Sequence, residues 1–85
     1  METELLKRIT INPGIFNGKP LIRGLRIKVE NVLALLEQGL SYREILEEYP
    51  GLEEDDIRAC LSFARAIITN EEIYDLNMEK SMWNF

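Results

Sequence analysis

The 85-residue chain has no histidine and a single cysteine. Lack of histidine removes the commonest general base and any cysteine–histidine zinc cage. Hydrolytic or metal-dependent chemistry would have to rest on carboxylates alone, so the sequence reads as non-enzymatic, with no cofactor, no metal and no small-molecule substrate. One thiol cannot staple a fold and suits a reducing compartment. Cys60 sits in an apolar helical pattern beside Leu61 and reads as a small buried hydrophobe. No apolar run approaches the roughly 18 residues needed to span a bilayer. The opening Met1-Glu2-Thr3-Glu4 is acidic where a secretory signal is basic. A cytoplasmic protein without a membrane partner is expected.

What is present is 46% hydrophobic and 29% charged residues, which places the chain among folded proteins and not disordered ones. A single domain of this size buries only about 60–65% of its unfolded surface, so partners would matter to its stability. The net charge of −5 hides a division. Residues 1–30 carry six basic side chains (Lys7, Arg8, Lys19, Arg23, Arg26, Lys28) against three acidic ones, a balance of +3. Residues 31–85 carry four basic against twelve acidic, a balance of −8. Opposed halves can associate head to body or serve two partners.

The spacing of apolar residues predicts an α+β fold. Arg8-Ile9-Thr10-Ile11-Asn12 reads as a strand with Ile9 and Ile11 on one face, ended by Asn12-Pro13-Gly14. Asn17-Gly18 favours a tight hairpin turn. A second extended segment is expected over Leu21–Ile27, broken at Gly24 and starting at a sheet edge because Pro20 cannot donate. From Val29 the period becomes helical through Val32, Leu33, Leu36 and Leu40, with Gly39 as the residue just past the helix end. Ser41 and Glu44 form a capping box for a helix from Tyr42 to about Glu48, with Ile45, Leu46 and Tyr49 inward; Pro50-Gly51 stops it. The acidic stretch Glu53-Glu54-Asp55-Asp56 opens a longer helix and suits the positive end of its dipole. Its expected buried stripe is Ile57, Cys60, Leu61, Ala64, Ile67 and Ile68, and it ends near Asn70. The expected organisation is one domain over residues 1–85: a short-strand arm (8–28), a three-helix bundle (29–69) and a C-terminal tail (70–85).

Helix, short turn, helix, turn, longer helix is the arrangement of a trihelical DNA-binding unit. In that frame Arg58, Ser62 and Arg65 share an outward face of the long helix. The four carboxylates leading that helix oppose contact with phosphates, and Arg58 has Glu54 one turn earlier as an ion-pair partner. The arm residues Lys19, Arg23, Arg26 and Lys28 are the other candidates for nucleic-acid contact. Two further roles stay open for them: protecting an edge strand, or pairing with the acidic helices of a neighbouring copy. The glycines match neither the Walker loop nor the dinucleotide fingerprint. The carboxylates at 53–56 lack calcium-loop spacing. In the tail, Ile73, Tyr74, Leu76, Met82, Trp83 and Phe85 form an apolar set suited either to a groove on a partner protein or to packing within the assembly.

Arg8-Ile9-Thr10, Gly18-Lys19-Pro20-Leu21-Ile22-Arg23-Gly24, Arg26-Ile27, Leu40-Ser41 and Tyr49-Pro50 together resemble the bacterial and archaeal domain-of-unknown-function family numbered 433, over about Arg8 to Ile68. The chain departs from it at Leu25 and Glu53, where the family commonly has threonine. The resemblance implies short strands before a homeodomain-like, helix-turn-helix-like bundle, usually as a homodimer. It also implies an antitoxin-type role beside a small nuclease-like toxin of PIN-like fold; in that role the arm residues Lys19, Arg23, Arg26 and Lys28 would contact operator DNA for autoregulation or hold the dimer. The other expectations are a DNA-binding transcriptional regulator without a toxin partner and a structural dimerisation module.

Overall fold

A computed structural model describes residues 3–69. A short helix α1 (Thr3–Leu6) leads into strand β1 (Ile9–Thr10), which pairs antiparallel with β2 (Leu21–Ile22). Three helices follow: α2 (Val29–Glu37), α3 (Tyr42–Glu48) and α4 (Glu54–Thr69). The architecture is α+β, a two-stranded ribbon on a small helical bundle. Helix α4 is its spine and touches α1, α2, α3 and β1.

Helix ends follow the sequence chemistry. Gly39 lies at φ 95°, and its amide donates to Leu36 O while that of Leu40 donates to Leu35 O, closing α2 with a Schellman motif. Both halves of the expected capping box are present: Glu44 N–H donates to Ser41 Oγ and Ser41 N–H to Glu44 Oε1. The core gathers Ile22, Val29, Val32, Ile45, Leu52, Ile57 and Cys60 from the ribbon and all three long helices. Burial pushes the Cys60 thiol up to about 12, with the Asp56 charge adding to the effect, so it is an inert packing group.

Several expectations are corrected. The second extended segment is only Leu21–Ile22; residues 23–26 turn. Leu25 N–H donates to Ile22 O, with φ of 48° at Arg23 and 74° at Gly24, the sign pattern of a type I′ turn. Ile22 N–H then meets Ile27 O, and Leu21 bridges Lys28, returning the chain to α2. Asn17-Gly18 does not make a two-residue hairpin. Phe16, Asn17 and Gly18 all take positive φ in one 3-10 turn inside a ten-residue connection (11–20). Strand β1 ends before Ile11, which is exposed while Ile9 packs on the core. On α4 the expected stripe is met at Ile57 and Cys60 but shifted elsewhere: Asp56, Ala59 and Ser62 are also buried, whereas Leu61, Ile67 and Ile68 are 42%, 44% and 65% exposed. Helix α1, which has four residues, carried no pattern long enough to read. The tail residues Ile73, Tyr74, Leu76, Met82, Trp83 and Phe85 lie outside the described residues.

Two substitutions test this frame by urea unfolding. Gly39→Ala meets no atom but must hold a left-handed backbone, and should lose about 1 kcal/mol. Ile45→Ala, which empties a fully buried site, should lose about 2–5 kcal/mol. Equal effects would contradict the assignment of one to backbone strain and the other to packing.

Candidate functional site

Antiparallel pairing of Ile9 with Ile22 sets Arg8 opposite Arg23 one step further along the ribbon, where Arg23 N–H donates to Arg8 O at 2.7 Å. Two like charges facing each other across a ladder repel. The fold resolves this by placing Asp56 between them. Its side chain is 0% exposed, and four donors reach its two oxygens. Oδ1 accepts from Arg23 Nε at 2.9 Å and Arg8 Nη1 at 3.1 Å. Oδ2 accepts from Arg23 Nη2 at 2.7 Å and the Glu53 amide at 2.8 Å. Arg23 thus grips the carboxylate with two parallel bonds, the geometry that suits a guanidinium and that a lysine cannot copy.

Glu53 precedes α4, and Asp56 is its third residue, so the bond from the Glu53 amide is half of a capping box. The other half is absent because the Glu53 carboxylate turns to Arg8 Nη1 at 2.8 Å. Arg23 Nη2 also donates to Gly51 O at 3.1 Å, tying the ribbon to the α3–α4 turn. Burial alone would push the Asp56 carboxyl up. The bonds from Arg23, the Glu53 amide and Arg8 outweigh it and hold the group below its ordinary value. The Glu53 and Asp56 hydrogen bonds raise Arg8, and the Asp56 hydrogen bonds raise Arg23. The left-handed backbone of Arg23, costly for a residue with a Cβ, is held by the same bidentate contact.

Most of the cations that the sequence offers to nucleic acid have partners here. Arg23 belongs to Asp56. Lys19 Nζ donates to Glu30 Oε1 at 2.8 Å, a bond that lowers Glu30. Lys28 Nζ stands 5.0 Å from the centre of the Phe16 ring. Arg58 pairs with Asp55 at 3.2 Å, not with Glu54. Arg26 and Arg65 enter no ion pair among the described residues. Arg58 and Arg65 do share a groove, but Ser62, expected outward with them, is only 8% exposed where it lines that groove. Of the four arm cations, Arg26 alone has neither an ion pair nor a ring contact among the described residues.

Sequence reasoning missed the roles of Arg8, Glu53 and Asp56. The available signal was local: an acidic residue three places after the one before a helix, and two arginines brought level by the ribbon's register. Among the described residues no three His, Cys, Asp or Glu side chains are placed to hold a metal ion, and no helix is long and apolar enough to cross a membrane.

The Asp56 contribution to stability has a defined pH window. A depressed native value means that the contribution is complete above the unfolded value of about 3.9 and is lost as pH falls through the lower native value. Melting temperature should therefore hold steady from neutral pH to about 5 and drop below about 4. Asp56→Ala, which leaves two partly exposed guanidiniums without their partner, should lose about 1.5–3 kcal/mol at pH 7; Asp56→Asn should flatten the acid limb. An unchanged acid limb in Asp56→Asn would assign acid sensitivity to other carboxylates.

The family described as "Protein of unknown function (DUF433)" matches residues 9–64, a span that includes Arg23, Glu53 and Asp56. A curated relative, the uncharacterized protein y4eO of Sinorhizobium fredii (strain NBRC 101917 / NGR234), is 36% identical over 58 residues. That alignment takes in 68% of this chain but 26% of the relative, so the chain spans about a quarter of that protein's length. A crystal structure of a DUF433 member protein from Anabaena variabilis ATCC 29413, solved at 2.00 Å resolution, superposes with a TM-score of 0.65 at 32% identity. It covers 91% of this chain and 73% of its own. Together with the matched span, these similarities show that the chain belongs to the DUF433 family.

Proposed function

We propose that the protein is a non-enzymatic binding module of antitoxin type, a homodimer whose α4 C-terminal turn and following residues occupy a small nuclease-like partner. One observation carries this reading: Ile67 and Ile68 stand exposed on the last turn of α4, and the sequence continues directly into Ile73, Tyr74, Leu76, Met82, Trp83 and Phe85. Large aliphatic side chains left in water at a helix end are suited to a protein partner. The carboxylates of the same stretch (Glu71, Glu72, Asp75, Glu79) complement a surface built to hold phosphates. The clamp on Asp56 supports it indirectly, because it occupies the leading turn of α4 that a recognition helix would offer to DNA.

The direct test is co-expression with the product of the adjacent open reading frame, followed by gel filtration with light scattering. The expected result is a stoichiometric complex that Ile67→Glu/Ile68→Glu and a chain ending at Asn70 both lose. Absence of any complex with the full chain would end the proposal. A second reading, a DNA-binding regulator, draws on Arg26, exposed at the ribbon turn with φ 67° and no ion pair among the described residues. It requires duplex binding that weakens steeply with salt, and Arg26→Ala should reduce the slope by about one unit.

A further inference from the structure

A groove runs along α4 upstream of the Ile67–Ile68 turn. It is open, about 250 Å3 in volume, and lined by Leu5 of α1, Tyr42 of α3, and Arg58, Leu61, Ser62 and Arg65 of α4. Pockets for drug-sized ligands run about 300–1,000 Å3; this one holds one or two aliphatic side chains. Its walls are chemically sorted. Arg58 and Arg65 stand seven residues apart on one helix, so their stems are about 10 Å apart at 1.5 Å per residue. Leu61 lies between them with 42% of its surface exposed, and Leu5 closes the apolar floor. Two hydroxyls, of Tyr42 and the buried Ser62, edge it.

We propose that this groove is a docking site for an acidic amphipathic helix of a partner protein, one with carboxylates two turns apart and aliphatic residues on the turn between them. The match is one of spacing and charge. A helix laid along α4 repeats the same rise, so glutamates at i and i+7 meet Arg58 and Arg65, while leucines at i+3 and i+4 enter the space over Leu61 and Leu5. Arg65 has no ion pair among the described residues, and Arg58 holds only the exposed Asp55, a contact that exchanges readily for an incoming carboxylate. A nucleic-acid strand fits less well. The side chains of Leu5 and Leu61 match leucines better than they match a sugar–phosphate chain. The groove's lining ends at Arg65, one turn before Ile68 on the same face, and the proposal does not depend on the antitoxin reading.

The experiment titrates the full-length protein into a fluorescein-labelled 15-residue synthetic helix carrying glutamates at i and i+7 and leucines at i+3 and i+4. Parallel titrations use the same peptide with glutamines in place of the glutamates, and a 12-nucleotide single strand. Saturable anisotropy is expected with the acidic peptide, several-fold weaker with its glutamine counterpart. Arg58→Ala/Arg65→Ala and, separately, Leu61→Glu should each weaken it about tenfold, and Arg43→Ala on exposed α3 should leave it unchanged. These positions are solvent-facing, so melting temperatures should stay within a few degrees. The peptide comparison on the unaltered protein stands whether or not a variant folds. Absence of saturation, equal binding of the glutamine peptide, or tighter binding of the oligonucleotide would each overturn the proposal.

Discussion

A carboxylate removed from water must be given other donors or it will not remain ionised, and Asp56 is the place where this fold meets that demand. Its four donors come from three separate parts of the chain: the end of α1 at Arg8, the ribbon turn at Arg23, and the amide of Glu53 that caps α4. None of these segments has much apolar area of its own. Two strands of two residues cannot persist alone, and a helix of four is below the length at which helices hold together in water. The buried ion cluster gives them a common anchor, and α4 supplies the long lever on which the anchor is mounted.

That arrangement decides which surfaces remain for partners. The positive arm and negative body suggested by the sequence are real, but at their centre they are complementary to one another within a single chain. Arg8 and Arg23 serve the fold, Lys19 is spent on the first turn of α2, and Lys28 lies over Phe16. In the leading turn of α4 the ribbon covers Asp56, while Glu53 and Glu54 stay exposed. Open surface remains further along α4, in the groove between Arg58 and Arg65 and at the aliphatic turn of Ile67 and Ile68, and on the arm at Ile11, Leu25 and Arg26.

Much of the helical frame was legible in the residues. Gly39 and the Ser41–Glu44 pair mark their helix ends because capping is a contact between near neighbours in sequence, and near neighbours are what a sequence displays. The ribbon was less legible. The break at Gly24 was visible, but the positive φ of Arg23 was not, since a left-handed arginine is stabilised by a carboxylate 33 residues away. The face of α4 was misjudged for a related reason. Of the stripe that periodicity favoured, Ile57 and Cys60 are buried but Leu61, Ile67 and Ile68 are not, and Asp56, Ala59 and Ser62 are buried in addition. Hydrophobic spacing carries no information about a charged residue that is buried because its partners are charged.

The coupling between Arg23 and Asp56 is the quantity on which this account stands. It is measured by a double-mutant cycle in urea unfolding at pH 7, using Arg23→Ala, Asp56→Asn and the double variant. The account predicts that the double variant loses far less than the sum of the singles, with an interaction energy above about 1 kcal/mol. Additivity to within about 0.5 kcal/mol, the behaviour of independent sites, would contradict it.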